Sequence, residues 1–445
     1  MSLTAIAWVA GYCLFAILSF QNPVFGMLGY MHEYYNRPDL KWWGDELPVL
    51  RYNLMISVVW GASYLLKQSS LRKLTPTRNL ALPWLLALGA IMLVVTPLFA
   101  VNESLSWEWS IQWIKTALIF PFLLYSVVRS RNAFNLFAAA HMLGAFWWGW
   151  ESWRDPDREA GRLLNVGSGD TQDDNAASAH LLTVLPFIAV YLFTETNKRL
   201  RLLALVAAPF VVNTIILCNS RGATVGALAG LLSALLLVRK GQRSRLVGIG
   251  AVTVLLFFMI ADEQFITRQQ STTNYEEDGA ALERLESWQA GIQLVKDRPW
   301  GAGGRGFHML SDRYIPSIVA AHDGELRAPH NTWVMVASEW GVLGFISYLG
   351  FIGGTFAMLR RVKQASDGHD FYFWRAIAIQ VALVSFLTAS TFTDRLYAEV
   401  GYWMYGLAYA LYRMQRTEQA EALQAAPASA GPDAEATAPA RSSAA

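Results

Sequence analysis

Apolar stretches of 15–29 residues follow one another along the whole chain, most of them joined by short polar links, and this repetition limits what the chain can become. The stretches lie near 4–20, 52–66, 80–100, 111–128, 133–150, 176–194, 200–217, 222–238, 246–261, 331–359, 373–391 and 396–413. Each is long enough, or nearly so, to cross about 30 Å of hydrocarbon as a helix. A bilayer interior leaves backbone groups no water to bond, so such segments cross it as helices. The sequence therefore predicts an all-α integral membrane protein with about twelve transmembrane helices. Of its 445 residues 54% are hydrophobic and only 16% charged, which excludes an ordinary soluble globule. The apolar piece 23–30 is too short to span and reads as re-entrant or interfacial.

Charge gives the expected sidedness, because cytoplasmic loops collect Lys and Arg. With the N-terminus inside, the inner loops hold Lys67, Arg72, Lys73, Arg78, Arg129, Arg131, Lys198, Arg199, Arg201, Arg239, Lys240, Arg243, Arg245, Arg360, Arg361, Lys363 and Arg375. Their only acids are Glu195, Asp367 and Asp370. The alternate loops are mixed or acidic, so both termini are expected in the cytoplasm. Residues 1–416 form the polytopic domain, with 262–330 as its main periplasmic segment. The Ala-, Pro- and Glu-rich tail 417–445 is expected to be disordered and cytoplasmic. Cys13 and Cys218 fall in or at the end of spans and give neither a disulfide framework nor a metal cluster.

The chemistry gathers in the outer loops. "GAGGRG" at 301–306 lacks the flanking strand and helix of a dinucleotide site, which leaves ATP and NAD readings weak. Nucleic acid is not expected as a partner. "LERLESWQAGIQLVKD" places Leu282, Leu285, Trp288, Ile292 and Val295 at helical spacing. That stripe either lies on the membrane surface, with Arg284 near the headgroups, or packs on the protein's own spans. Arg221, in "CNSRG", sits between two spans with almost no loop. It either faces a partner or anion, or snorkels at a helix end. Lys115, about one turn inside its span, has the same two readings. Arg305 and Arg327 add positive charge to the long loop.

His330 stands after Pro329 and before Asn331, a good helix cap. The positive end of the helix disfavours imidazolium, leaving a neutral ring able to accept a proton. Ala337, Gly341 and Gly344 lie on its side of the helix, as small residues that permit close packing. Asp323 and Glu325 are its nearest acids in sequence; Glu339 is on the opposite face and reads as a hydrogen bond to a neighbouring helix or as a functional acid. By residue chemistry alone His330 is either a structural boundary histidine or a general base.

Four tracts together resemble the bacterial O-antigen ligase family, whose superfamily also holds O-antigen polymerases and protein O-oligosaccharyltransferases. They are "DDNAASAHLLTVLPF" (173–187), "NSRGATVGALAG" (219–230), "ERLESWQAGIQLVKDRPWGAGGRGF" (283–307) and "PHNTWVMVASEWGVLGF" (329–345). The front of the chain, including residues 25–48, is also similar to ligase-like proteins associated with exosortase systems. The resemblance implies a GT-C-type glycosyltransferase of the inner membrane, metal-independent and without cofactor. It implies a donor polysaccharide on undecaprenyl pyrophosphate and a lipid A-core acceptor at the periplasmic face. His330 matches the family's proposed base, and Arg221 and Arg284 its pyrophosphate-holding arginines; Lys115, Arg305 and Arg327 are further substrate-binding candidates. A polymerase or a protein or exopolysaccharide ligase would use the same groups. A lipid-linked glycan flippase is the alternative from another class; it would show internal repeats and broken helices, and the sequence displays neither.

Overall fold

The computed structural model describes residues 1–244 apart from 157, 160, 161, 165 and 172, then 247, 248, 265, 266 and 279–425. The expected span 246–261 lies largely outside the described residues, as does the tail from 426. Among the described residues the main helices are α1 Leu3–Ser19, α2 Val24–Tyr35, α3 Tyr52–Lys67, α4 Leu82–Phe99, α5 Glu103–Val127, α6 Arg131–Arg154 and α7 Asp174–Thr194. They continue with α8 Lys198–Leu217, α9 Arg221–Leu237, α10 Gly279–Asp297, α11 Thr332–Gln364, α12 Phe371–Ala389 and α13 Glu399–Ala425. Every expected stretch within the described residues is thus a helix. Six of them, α4, α5, α7, α8, α11 and α12, are long and apolar enough to cross a membrane, and α1 and α9 are apolar but shorter. Beside them lie short helical turns and a two-stranded hairpin, Arg158–Glu159 with Arg162–Leu163.

The loops sort to two ends of the bundle. At one, Arg129 Nη1 donates to the Arg72 carbonyl at 3.1 Å, Arg239 Nη2 to the Ser366 carbonyl at 2.9 Å, and Arg131 and Arg72 pair with Glu418 and Glu421 at 2.6 Å each. These ion pairs hold the start of the expected tail in α13, so the helix runs to Ala425 rather than ending near 416. At the other end Val101 N donates to Ala302 O at 2.9 Å, and Thr332 Oγ1 to Thr393 O at 2.8 Å. The charge bias read from the sequence thus becomes a basic end and an opposite end that carries His330.

The N-terminus breaks the expected pattern. The Met1 amine lies 3.9 Å from Glu46, in the loop after α2, and Tyr12 donates to the Tyr52 carbonyl at the start of α3 at 2.8 Å. α1 therefore starts at the His330 end and α2 returns to it, so Met1 and Ala425, the last described residue, lie at opposite ends. The cause is α2. It is short, yet it is buried against protein instead of lipid, with Tyr34 and Tyr35 only 3% and 1% exposed.

α11 is also interrupted. Gly341 has φ 70° and ψ −176°, a region open essentially to glycine alone. The backbone groups freed by the break are taken up by the segment after α10: Ala302 N donates to Ser338 O at 3.0 Å, Gly303 N to Glu339 O at 2.9 Å, and Val342 N to Pro299 O at 3.0 Å. A Cβ on Gly301 would stand 2.4 Å from Glu339 O, so this Gly-rich tract exists to lie flat against a broken helix. A broken helix is thus present where the sequence showed none, and Gly341 is the break itself, not a packing position.

Of the two readings of the α10 apolar stripe, the structure does not pack it on the spans; another face of the helix packs there. Ser287, Ala290, Gly291 and Leu294 are buried. A Cβ on Gly291 would come within 2.2 Å of Val334, so small residues let α10 press on α11. Leu282, Leu285 and Ile292 stay 44, 41 and 54% exposed, which leaves them for the membrane surface.

Candidate functional site

His330 is held in a left-handed turn, φ 48°, between Pro329 and the helix cap. Asn331 Oδ1 accepts from Trp333 N at 2.9 Å and Val334 N at 3.2 Å, which starts α11. A non-glycine residue in this conformation costs roughly 1–2 kcal/mol, and the surroundings impose it from two sides. Asp394 accepts from His330 N at 3.3 Å and from Asn331 N at 3.0 Å. Trp288 Nε1 on α10 donates to the Pro329 carbonyl at 3.1 Å. The residue is exposed, yet desolvation by the surrounding protein is the main cause of its lowered pKa. Asp394 pulls the value up, Arg284 and Arg327 push it down, and Asp173 raises it slightly. The balance leaves the ring neutral and basic at neutral pH.

Four helix ends meet around this turn. Arg221 opens α9, half-buried, after a link of only three residues from α8. Ser220 caps α9 by accepting from Ala223 N, and its hydroxyl donates to Asn175 Oδ1 at the start of α7 at 2.8 Å. Beside Arg221, Gly222 packs so tightly on Phe392 that a Cβ would stand 2.8 Å from it, and the Phe392 ring lies 6.1 Å from that of Trp288. One turn before Trp288, Arg284 is half-buried on the side of α10 that senses His330. The N-terminus of α9 adds its own positive dipole to the two guanidiniums, a setting suited to an anion.

The other candidates divide. Arg327 is half-buried, donates its backbone N–H to Ser311 Oγ at 2.9 Å and approaches Glu325 at 3.8 Å. Arg305, also left-handed at φ 61°, lies 4.9 Å over the Trp109 ring and near His308. Lys115 is on the exposed side of a π-helical turn within α5, two residues from the buried Trp113. Among the described contacts none joins it to the His330 turn. Glu339 is 2% exposed and accepts from Tyr397 at 2.8 Å, a bond to the chain entering α13.

Sequence reasoning missed Asp394, Arg395, Asp173 and His308. Asp394, not Asp323 or Glu325, orients the histidine turn. Arg395 Nη1 donates to the Asp170 carbonyl at 2.7 Å and its Nη2 lies 3.8 Å from Asp173, tying the 393–398 loop to the start of α7. Behind it Asp170 accepts from Glu399 N at 2.9 Å and from Tyr34 at 2.5 Å, and Tyr35 bridges His141 and His180 at 2.6 and 2.8 Å. The short helix α2 thus anchors the site from below. His308 is a second imidazole facing Asp394, its pKa lowered by burial first and by Arg305 next. The only sequence signal for Asp394 was an acid in a short outer loop.

The structure thus brings the exposed His330 within electrostatic reach of Arg284, Arg327 and Asp394, with Arg221 at the start of the neighbouring helix α9. No curated protein matches the chain. Residues 203–349 match the family model described as O-antigen ligase, a segment that runs from α8 through α10 to α11 and carries Arg221, Arg284, Arg305, Arg327 and His330. That segment is similar to the O-antigen ligase family.

Proposed function

We propose that the protein is a glycosyltransferase that moves a polysaccharide from undecaprenyl pyrophosphate to a sugar hydroxyl of lipid A-core. It does so in the inner membrane, with His330 at the periplasmic face, the twelve apolar stretches crossing as a GT-C-type bundle, α2 returning between the first two, and the basic end in the cytoplasm. The N-terminus then lies on the periplasmic side and the C-terminus in the cytoplasm. The observation that carries this reading is the His330 turn, clamped by Asp394 and Trp288 and faced by arginines from the family-matched segment.

His330 takes the proton of the acceptor hydroxyl, and the oxygen attacks the anomeric carbon from the side opposite the pyrophosphate. The new C–O bond forms as the bond to the pyrophosphate oxygen breaks, which inverts the anomeric centre. The negative charge gathering on the leaving group falls on Arg221 and Arg284, which supply electrostatic stabilisation of the kind a divalent metal gives elsewhere. Arg305, Arg327 and Lys115 are assigned to the glycan or the lipid headgroup region. The proton on the imidazolium then leaves with the pyrophosphate or to water.

Purified protein incubated with the lipid-linked polysaccharide and lipid A-core in EDTA tests this. A ladder of polysaccharide on lipid A is expected. Lengthening of the lipid-linked chain alone would identify a polymerase, and label on protein a protein ligase. Movement of donor across vesicles without acceptor would identify a flippase.

A further inference from the structure

At the basic end, far from His330, α9, α11 and α12 leave a cavity of about 480 Å³. Gly353, Phe356, Ala357, Arg360 and Lys363 line it from α11, and Gln380 from α12. The five α11 positions recur every three or four residues, so they form one face, apolar towards the middle of the helix and basic at its end. Gly353 is exposed, and a Cβ there would meet nothing within 4 Å. Arg360 is exposed, and Lys363 Nζ donates to the Leu237 carbonyl at 2.9 Å, which leaves two of its three N–H groups for another acceptor. Gln380 is only 4% exposed and its Oε1 has no partner. A buried amide in that condition is unfavourable unless something in the cavity bonds it, and rotation of the amide presents either its N–H₂ or its oxygen.

These features call for one molecule with three parts. A soluble anion would leave the apolar half of the face empty, and a hydrocarbon chain would leave two cations and an amide unanswered. A glycerophospholipid meets all three, with its phosphate on Arg360 and Lys363, an ester carbonyl one step deeper accepting from the Gln380 amide turned to present its N–H₂, and an acyl chain over Gly353, Phe356 and Ala357. Basic clefts between membrane helices hold anionic headgroups in this way. We infer that this cavity binds one anionic phospholipid, of the phosphatidylglycerol type, from the leaflet at the basic end. The inference rests on the helices lying in a membrane and not on the glycosyl-transfer reading.

The test titrates full-length protein in mild detergent with phosphatidylglycerol or phosphatidylethanolamine and counts bound lipids by native mass spectrometry. The wild type is expected to keep one phosphatidylglycerol in preference to phosphatidylethanolamine. Arg360→Gln with Lys363→Gln should weaken that binding about 30-fold, from the usual contribution of two basic residues at a membrane surface. Gly353→Leu fills the acyl half without changing charge and should also release the lipid. Arg416→Gln, which removes an exposed arginine at the same end, should not. Equal affinity for the two lipids, retention by both the double variant and Gly353→Leu, or an equal loss with Arg416→Gln would overturn the site. Transfer activity enters none of these readouts.

Discussion

Asp394→Asn is the sharpest probe of how the site works. The carboxylate accepts two backbone N–H groups, from His330 at 3.3 Å and from Asn331 at 3.0 Å, one on each oxygen. The amide keeps a single oxygen, so one bond to a charged acceptor is lost, worth roughly 1.5–3 kcal/mol. The left-handed turn at His330, itself costing roughly 1–2 kcal/mol, then relaxes part of the time into an extended conformation that swings the imidazole away. If the whole loss appears in the rate, transfer at saturating donor slows by about 10- to 150-fold. The charge makes a second, separate statement. Asp394 raises the His330 pKa against the lowering by burial, so its removal lowers that pKa further. The ring then stays neutral to a more acid pH, and the acid limb of the rate profile moves down. Initial rates of polysaccharide transfer between pH 4.5 and 8 measure both effects. A full rate in the variant, or an acid limb that moves up, would refute the view that Asp394 sets the histidine.

Other substitutions separate the remaining roles. His308→Gln should keep most of the transfer rate that His330→Gln abolishes, because His308 shares Asp394 but lies under Arg305 instead of beside the α10 arginine; steady-state kinetics on both variants decide this. Arg221→Lys and Arg284→Lys keep the charge but not the planar fork, and →Gln removes both. The glutamine variants should lose about 10²–10³ in kcat, with the lysines between, in assays at saturating donor. Gly341→Ala puts a Cβ 2.5 Å from the Pro299 carbonyl in a glycine-only conformation, so it should destabilise by on the order of 1–3 kcal/mol, read as a lower Tm in detergent.

The membrane helices were readable because each must supply a long apolar run whatever its neighbours are. α2 was not, since its surface meets protein: Tyr34 and Tyr35 satisfy their hydroxyls on Asp170, His141 and His180, partners more than a hundred residues away in sequence. Reading 23–30 as re-entrant or interfacial, and not as a helix that returns to the His330 end, is also what set Met1 on the basic side. The break at Gly341 was hidden for a related reason, because the groups that repair it come from 299–303, a glycine-rich tract for which the sequence offered only a weak nucleotide reading. On α10 the apolar stripe left two orientations open, and the small residues Ser287, Ala290 and Gly291, which hydropathy ranks low, mark the packed face. Within the site, His330 and the arginines carried a legible chemistry. The carboxylate that orients the histidine is 64 residues away, and linear proximity offered only Asp323 and Glu325.

The central claim is that His330 takes the acceptor proton while the arginines hold the leaving group. The most direct measurement compares wild type and His330→Ala, in EDTA, for both donor binding and transfer to lipid A-core. The account predicts that the variant binds the lipid-linked polysaccharide as tightly as the wild type and forms no ladder. An undiminished ladder from the variant would contradict it.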